Sequence, residues 1–314
     1  MSNDEISKIA STHLGKAGDG SVVKPYITPD FIDRSLLVGI PRVLNRTAYN
    51  IDESDLPFVG FDTWNCYEFS TLTDNGFPVC GVIRISYPSN SPNIVESKSL
   101  KLYMNSFNMT HCGKTVDDVI AKAEEVIVQD LAPALGIEYD DLSVSFVNEY
   151  SDTVTPILNY FAPLETTVDV ENLSFDHFNE DPDILQIVDY TDMNQNGMQV
   201  RSAVLRSNCR VTNQPDWGDV YISFKGEKGV TPESLLQYIV SMRKENHFHE
   251  EICECIYKRL YDILQPKDLF VACLYTRRGG IDINPVRASS YKLLMTYAEN
   301  LGRTHKLNTK TLRQ

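Results

Sequence analysis

Cys209 and Asp216 stand close together in the run Ser207-Asn208-Cys209-Arg210-Val211-Thr212-Asn213-Gln214-Pro215-Asp216-Trp217-Gly218. A thiolate attacks electrophilic carbon, and a nearby carboxyl can hand a proton to the atom that gains charge, so the pair suits covalent catalysis. Arg210 beside the thiol is a candidate to stabilise the thiolate. Each residue also has a structural reading. A cysteine is often a small buried hydrophobe, and Pro-Asp-Trp-Gly makes a good turn in which the aspartate braces the backbone. The polar surroundings of Cys209, with Asn208, Asn213 and Gln214, favour chemistry.

Three further stretches carry reactive or ligand-binding side chains. Val95-Glu96-Ser97-Lys98-Ser99-Leu100-Lys101 concentrates a carboxylate, two hydroxyls and two ammonium groups. Lys98 and Lys101 suit phosphates, and Glu96 and Ser97 suit a polar substrate. The competing reading is a solvated charged turn. His247-Phe248-His249-Glu250 opens a helical pattern, where Glu250 can accept hydrogen bonds from a purine-like N–H edge. With Cys253 and Cys255 it forms a His-x-His-x3-Cys-x-Cys cluster that matches no common zinc spacing. Thr276-Arg277-Arg278-Gly279-Gly280 offers arginine donors together with glycines that let backbone approach a phosphate. The glycine fingerprints of Rossmann and P-loop domains and the nucleophile elbow of α/β-hydrolases are absent.

The elements that must hold these residues follow from periodicity. Trp64–Thr71 and Val79–Tyr87 alternate as strands around a Thr73-Asp74-Asn75-Gly76 hairpin turn. Thr115 caps a helix with Asp118 at its third position and Ile120, Ala123, Ile127 and Leu131 at helical spacing, closed by Pro133 and Gly136. Asp141–Asn148 reads as a strand. The second half repeats the layout. Strands lie at Ile184–Tyr190 and Met198–Leu205, joined across Asn194-Gln195-Asn196-Gly197, and the Cys209 loop then leads into a strand with Val220, Ile222 and Phe224 on one face. One helix opens at Thr231-Pro232, a second begins near Phe248 and is closed by Pro266, and Leu269–Tyr275 is a further strand. That order predicts an α+β fold of antiparallel sheets with helix pairs on one face. Residues 1–45 read as a tail, 46–165 as a first module and 166–314 as a second, with the acidic, irregular stretch 150–182 at the boundary.

Composition sets the outer limits. The chain has 314 residues, a net charge of −14 and seven irregularly spaced cysteines. The acidic balance disfavours direct nucleic-acid binding. Without a signal-peptide pattern or a long apolar run, the expected compartment is the cytosol, with neither a disulfide framework nor a membrane span.

Taken together, Val95-Glu96-Ser97-Lys98-Ser99-Leu100-Lys101-Leu102-Tyr103, Asn208-Cys209 to Trp217-Gly218, Phe248-His249-Glu250 and Tyr275-Thr276-Arg277-Arg278-Gly279-Gly280-Ile281-Asp282-Ile283-Asn284-Pro285 resemble the NADPH-dependent nitrile reductases of queuosine biosynthesis, in their long two-module form. The similarity runs from about Leu36 to Arg287. It implies two tandem tunnelling-fold (T-fold) modules per chain, a homodimer, no metal, and reduction of the nitrile of 7-cyano-7-deazaguanine (preQ0) to the aminomethyl group of preQ1 with two NADPH. By position, the resemblance implies Cys209 as nucleophile and Asp216 as proton donor, with His249 counted with them in the catalytic set. Val95, Glu96, Ser97, Phe248, His249 and Glu250 correspond to substrate contacts, and Ser97, Lys98, Arg278 and Gly279 to NADPH contacts. A donor aspartate needs a raised pKa, which predicts a partly buried Asp216. Two rival functions are an amidinotransferase of the same fold acting on the same nitrile, and a catalytically silent deazapurine-binding module. Lys98 with Arg277-Arg278-Gly279-Gly280 argues against the first, and the intact Cys209, Asp216 and His249 against the second.

Overall fold

Ten strands of the chain form one twisted sheet in the computed structural model, which describes residues 29, 31–76, 78–147, 161–190, 197–210 and 214–298. The sheet is built from β2 (Val59–Thr73), β3 (Pro78–Pro88), β6 (Ser143–Val147), β9 (Gly197–Cys209), β10 (Pro215–Lys225), β12 (Asn246–His247), β13 (Asp268–Tyr275) and β14 (Ile281–Ala288), in the order β12-β9-β10-β13-β14-β2-β3-β6. The main ladders are antiparallel. Short parallel pairings join β12 to β9, β5 (His111–Gly113) to β2 and β7 (Ala162–Pro163) to β9. Two small antiparallel pairs stand apart: β1 (Gly39–Pro41) with β4 (Asn93–Val95), and β8 (Ile187–Asp189) with β11 (Lys228–Val230). The β14–β2 ladder joins the two halves, pairing Ile283 with Trp64 and Asn284 with Thr63.

Alternation along the strands sends apolar side chains to the helices. In the first half, Trp64, Cys66, Ile83 and Ile85 meet Leu100 and Tyr103 of α1 (Ser97–Asn105) and Ala123, Ile127 and Leu131 of α2 (Val116–Leu135). In the second half, Val220, Ile222, Phe224 and Val271 meet Leu235 and Ile239 of α3 (Pro232–Ser241) and Ile252, Ile256 and Leu260 of α4 (His249–Leu264). The mixed α+β class and the dominance of antiparallel pairing match the sequence reading. The helix at Thr115 starts with a full capping box: Thr115 accepts from Asp118 N–H, and the Asp118 carboxylate accepts from Thr115 N–H.

Several expectations are corrected. Pro133 does not end α2; it lies inside the last turn, and the helix continues to Leu135 before Gly136 stops it at φ +73°. Helices are not confined to one face. α5 (Tyr291–Ala298) packs Leu294 and Tyr297 on Phe61, Phe270, Leu274 and Val286, which point away from α3 and α4. The Cys209–Asp216 segment is a hairpin connection: β9 runs through Cys209, and Asp216 already belongs to β10, opposite Ser207. The stretch 184–190 is mostly irregular, with only Ile187–Asp189 in a strand. The Asn194–Asn196 turn and residues 211–213 lie outside the described residues, as do 1–28 of the tail. From Gly39 the chain is built into the fold, with Arg42 and Arg46 buried. Among the described residues no helix is long and apolar enough to cross a membrane.

Beneath the join between the halves lies a closed ionic network. Asp62 accepts from Arg42 at 2.5 Å and Arg287 at 2.8 Å, and Glu254 accepts from Arg46 at 2.7 Å and Arg287 at 2.8 Å. All five side chains are buried. Burying so many charges is tolerable only because each meets opposite charges in hydrogen-bonding geometry. The network spans β2, β14, α4 and the N-terminal segment, and so fixes α4 against the seam.

Candidate active site

One cavity of about 430 Å³ opens at this seam, a size suited to a small organic ligand. Its lining includes Val95, Glu96, Ser97 and Lys98 from the first half and Cys209, Asp216, Phe248, His249, Glu250, Arg278 and Gly279 from the second. Every residue that the resemblance assigns to the site therefore borders the same cavity, while Arg210 and Arg277 do not. Trp64, Gln214, Ile281 and Ile283 also line it but were not singled out. The alternation of Ile281 and Ile283 after Gly280 is the signal that would have found the latter two.

Four local structures deliver these groups. Cys209 ends β9, and its N–H donates to Gln214 O at 2.8 Å, which closes the hairpin over the cavity. Glu96 caps α1, accepting from Lys98 N–H at 3.0 Å and Ser99 N–H at 2.7 Å, so its carboxylate is fixed by its own helix. Phe248 precedes α4, which leaves His249 and Glu250 in the first turn. Arg278 and Gly279 lie in the tight β13–β14 turn, with Gly279 at φ +56° and Gly280 at φ +81°. A Cβ on Gly279 would lie 2.7 Å from Lys101 Nζ, so the glycine keeps a cradle open beside two lysines and an arginine. Those cations and that open backbone fit a phosphate-bearing cofactor.

The electrostatics are uneven. Asp216 is 3% exposed, and its carboxyl is paired with Arg278, which also donates to Gln214. His249 Nε2 lies 3.4 Å from Asp216 Oδ2, an ion-pair distance without hydrogen-bond alignment, and its ring rests 4.0 Å from that of Tyr275. Burial pushes Asp216 up, but His249 and Arg278 outweigh it and hold the carboxyl below its ordinary value. The burial expected of Asp216 is present. The raised pKa is not, because His249 and Arg278 both face the carboxyl. Glu250 behaves oppositely. Burial, helped by the nearby charge of Asp62, pushes its carboxyl well above the usual range, and its Oε1 is buried without a hydrogen-bond partner. Burial likewise raises Glu96, against the pull of its backbone N–H donors.

Arg210 pairs with Glu251 at 2.8 Å through both carboxylate oxygens, so its charge is engaged there. The His/Cys cluster of the sequence is divided: His247 and His249 border the cavity, while Cys253 and Cys255 are fully buried in the core. Among the described residues no three His, Cys, Asp or Glu side chains converge in metal-holding geometry.

Known proteins share this arrangement of sequence. The family model described as "Nitrile reductase, 7-cyano-7-deazaguanine-reductase N-term" matches residues 29–140, and that of the "QueF-like protein" matches residues 215–292. The NADPH-dependent 7-cyano-7-deazaguanine reductase of Colwellia psychrerythraea is 40% identical over 260 residues, covering 81% of this chain and 86% of its own. The chain belongs to the NADPH-dependent 7-cyano-7-deazaguanine reductase family. The reductase of the same name from Dechloromonas aromatica is 36% identical over 278 residues, covering 88% of this chain and 91% of its own. The apo crystal structure of the archaeosine synthase QueF-Like aligns with 33% of this chain and 92% of its own, at 15% identity and a TM-score of 0.26.

Trp64 and Val95 to Lys101 of the cavity lining fall in the first matched segment and Asp216 to Ile283 in the second, while Cys209 and Gln214 lie between the two.

Proposed function

We propose that the protein reduces the nitrile of preQ0 to the aminomethyl group of preQ1 with NADPH, at the cavity between the two halves. The observation that carries this reading is the convergence of Cys209, Asp216, His249, Glu250, Glu96 and Arg278 on one cavity in a chain of this family. Glu250 and Glu96 offer buried carboxylates to the N–H groups of the deazaguanine, and Val95 and Phe248 supply apolar surface beside them. Glu250 Oε1 is buried without a hydrogen-bond partner, which favours a ligand that brings a donor.

Cys209 adds its thiolate to the nitrile carbon. The sulfur–carbon bond forms as one carbon–nitrogen π bond breaks, and the nitrogen takes a proton from Asp216, giving a thioimide. His249, in contact range of Asp216, holds that carboxyl toward the nitrogen and can return the proton. Ser97, Lys98, Arg278 and Gly279 would hold NADPH, and Lys101 extends the same cationic wall. Bound there, NADPH supplies hydride equivalents, two per nitrile. Phe248 and Trp64 exclude water from the cavity while an imine is held.

The wider assembly follows the same reading: two T-fold modules, divided near 165/166, with a homodimer as the working unit in the cytoplasm. The test is the covalent adduct. Mixing the protein with preQ0 without cofactor gives a mass increase equal to preQ0 that maps to Cys209 and is absent in Cys209→Ala. An adduct that persists in Cys209→Ala overturns the nucleophile. NADPH consumption of two per preQ1 excludes the amidinotransferase reading, whereas product formed from an amine donor with no NADPH oxidised would establish it.

A further inference from the structure

The residue after the nucleophile is an arginine whose guanidinium is nearly buried, with a side chain 8% exposed. It reaches 41 residues along the chain to Glu251, donating at 2.8 Å to both oxygens, and donates at 3.3 Å to Asn45 Oδ1. Glu251 has two other bonds: Oε2 accepts from Phe248 N–H at 2.9 Å and lies 3.2 Å from His247 Nδ1. One carboxylate thus joins the strand end bearing Cys209 to the first turn of α4, which bears His249 and Glu250. The backbone runs in the same sense. β12 pairs in parallel with β9, His247 opposite Cys209, and Asn208 N–H donates to Glu245 O at 2.7 Å. His247 is braced from three sides, by Glu251, by Glu245 at 3.2 Å and by the Tyr49 hydroxyl at 3.1 Å.

We infer that Arg210 and Glu251 are positioning residues that hold the Cys209 thiol in register with the substrate grip of His249 and Glu250. This rests on the reading of Cys209 as nucleophile and assigns a further role to residues outside that reading. An ion pair on exposed side chains would contribute little, but this one is shielded from water, and breaking it leaves a charge stranded. Arginine suits the place because its long, permanently charged side chain carries one nitrogen, Nη1, between the two carboxylate oxygens and Asn45 Oδ1, which fixes where the side chain ends. A hydrophobic residue at 210 would remove this side-chain link between the end of β9 and α4. Misplacement of a nucleophile by an ångström costs rate far more than it costs ground-state binding.

The test separates positioning from folding and from the reading beneath it. In single-turnover experiments with preQ0 and no cofactor, Arg210→Leu lowers the rate constant of adduct formation by about 10- to 100-fold. The Kd for preQ0, measured in a Cys209→Ala background, changes by less than about threefold. Glu251→Gln, which keeps an acceptor for Phe248 N–H, lowers the same rate constant. The double variant is no slower than the worse single one, since both break a single link. Arg210→Leu at wild-type rate, an equal loss in rate and affinity, or additive losses in the double variant overturn the inference. Mapping of the wild-type adduct keeps the two claims apart. An adduct away from Cys209 sinks the nucleophile assignment, and an adduct on Cys209 formed at equal rate in Arg210→Leu sinks the clamp alone.

Discussion

Arg278 ion-pairs with Asp216 at the cavity, although Asp216 lies at the start of β10 and Arg278 in the β13–β14 turn, 62 positions away. The same arginine is proposed to hold the cofactor, so its two partners would compete for it. While it faces Asp216, with His249 alongside, the carboxyl stays below its ordinary pKa and its acid form is scarce at neutral pH. Turning Arg278 toward a phosphate removes its positive charge from the carboxyl and lets burial raise Asp216. Adduct formation is therefore expected to gain from acid, and Arg278→Gln moves the pH at which Asp216 protonates upward. The check is the pH profile of cofactor-free adduct formation. The limb assigned to Asp216 shifts to higher pH in Arg278→Gln and disappears in Asp216→Asn. An unshifted limb in Arg278→Gln removes the coupling.

The buried network under the cavity gives a stability prediction. Asp62 is fully buried and binds Arg42 and Arg287, so Asp62→Ala leaves two guanidinium groups without their shared partner. The expected loss is about 3–5 kcal/mol in urea unfolding. Glu254 adds a pH dependence. Burial alone would raise it, but Arg287, Arg46 and Arg42 outweigh burial and pull it down to about 2. A depressed folded-state pKa contributes stability above the unfolded value, lost as pH falls through the folded one. Unfolding midpoints should therefore decline as pH drops from about 4.5 toward about 2, with a shallower decline in Glu254→Gln.

The sequence made the site legible where chemistry is concentrated in short runs. Glu96-Ser97-Lys98, His249-Glu250 and Arg278-Gly279 each sit at a helix start or a tight turn, where local spacing fixes what faces outward. Long-range consequences were hidden. The depressed Asp216 depends on an arginine 62 residues away, and the commitment of Arg210 depends on a carboxylate 41 residues away. The network of Asp62, Glu254 and three arginines was invisible for the same reason: each residue alone reads as an ordinary surface charge. The helix α5 was missed because it is short and covers a sheet face that alternation alone cannot distinguish from a solvated one. Strand ends failed locally, since β9 continues through the polar Ser207 and Asn208 on the strength of its pairing with β10.

Gly279 tests the cofactor wall. Its φ of +56° disfavours any side chain, and a Cβ there would crowd Lys101 Nζ. The Lys101 head can swing aside, so the conformational term dominates, at about 1–2 kcal/mol. Gly279→Ala is expected to raise KM for NADPH by roughly 5- to 30-fold while the cofactor-free rate of adduct formation stays at the wild-type value. A parallel fall in adduct formation would place Gly279 in the nucleophile's surroundings rather than the cofactor's.

Glu250 supplies the sharpest test of substrate recognition. Its carboxyl is buried and pushed upward by desolvation and by Asp62, and Oε1 waits without a partner. N–H donors of a bound deazaguanine favour the ionised form, so binding and deprotonation of Glu250 are linked. Affinity for preQ0 in the Cys209→Ala background is accordingly expected to strengthen as pH rises through the window above the ordinary carboxylate range. Glu250→Gln exchanges a charged acceptor for a neutral one and weakens binding by about 1.5–3 kcal/mol, or roughly 10- to 150-fold in Kd. It also flattens the pH dependence, because the titrating group is gone. Calorimetric titration at several pH values reads both effects. If Glu250→Gln binds as tightly as the parent protein, the substrate edge is held elsewhere, and a retained pH dependence would assign the linked proton to another group such as Glu96.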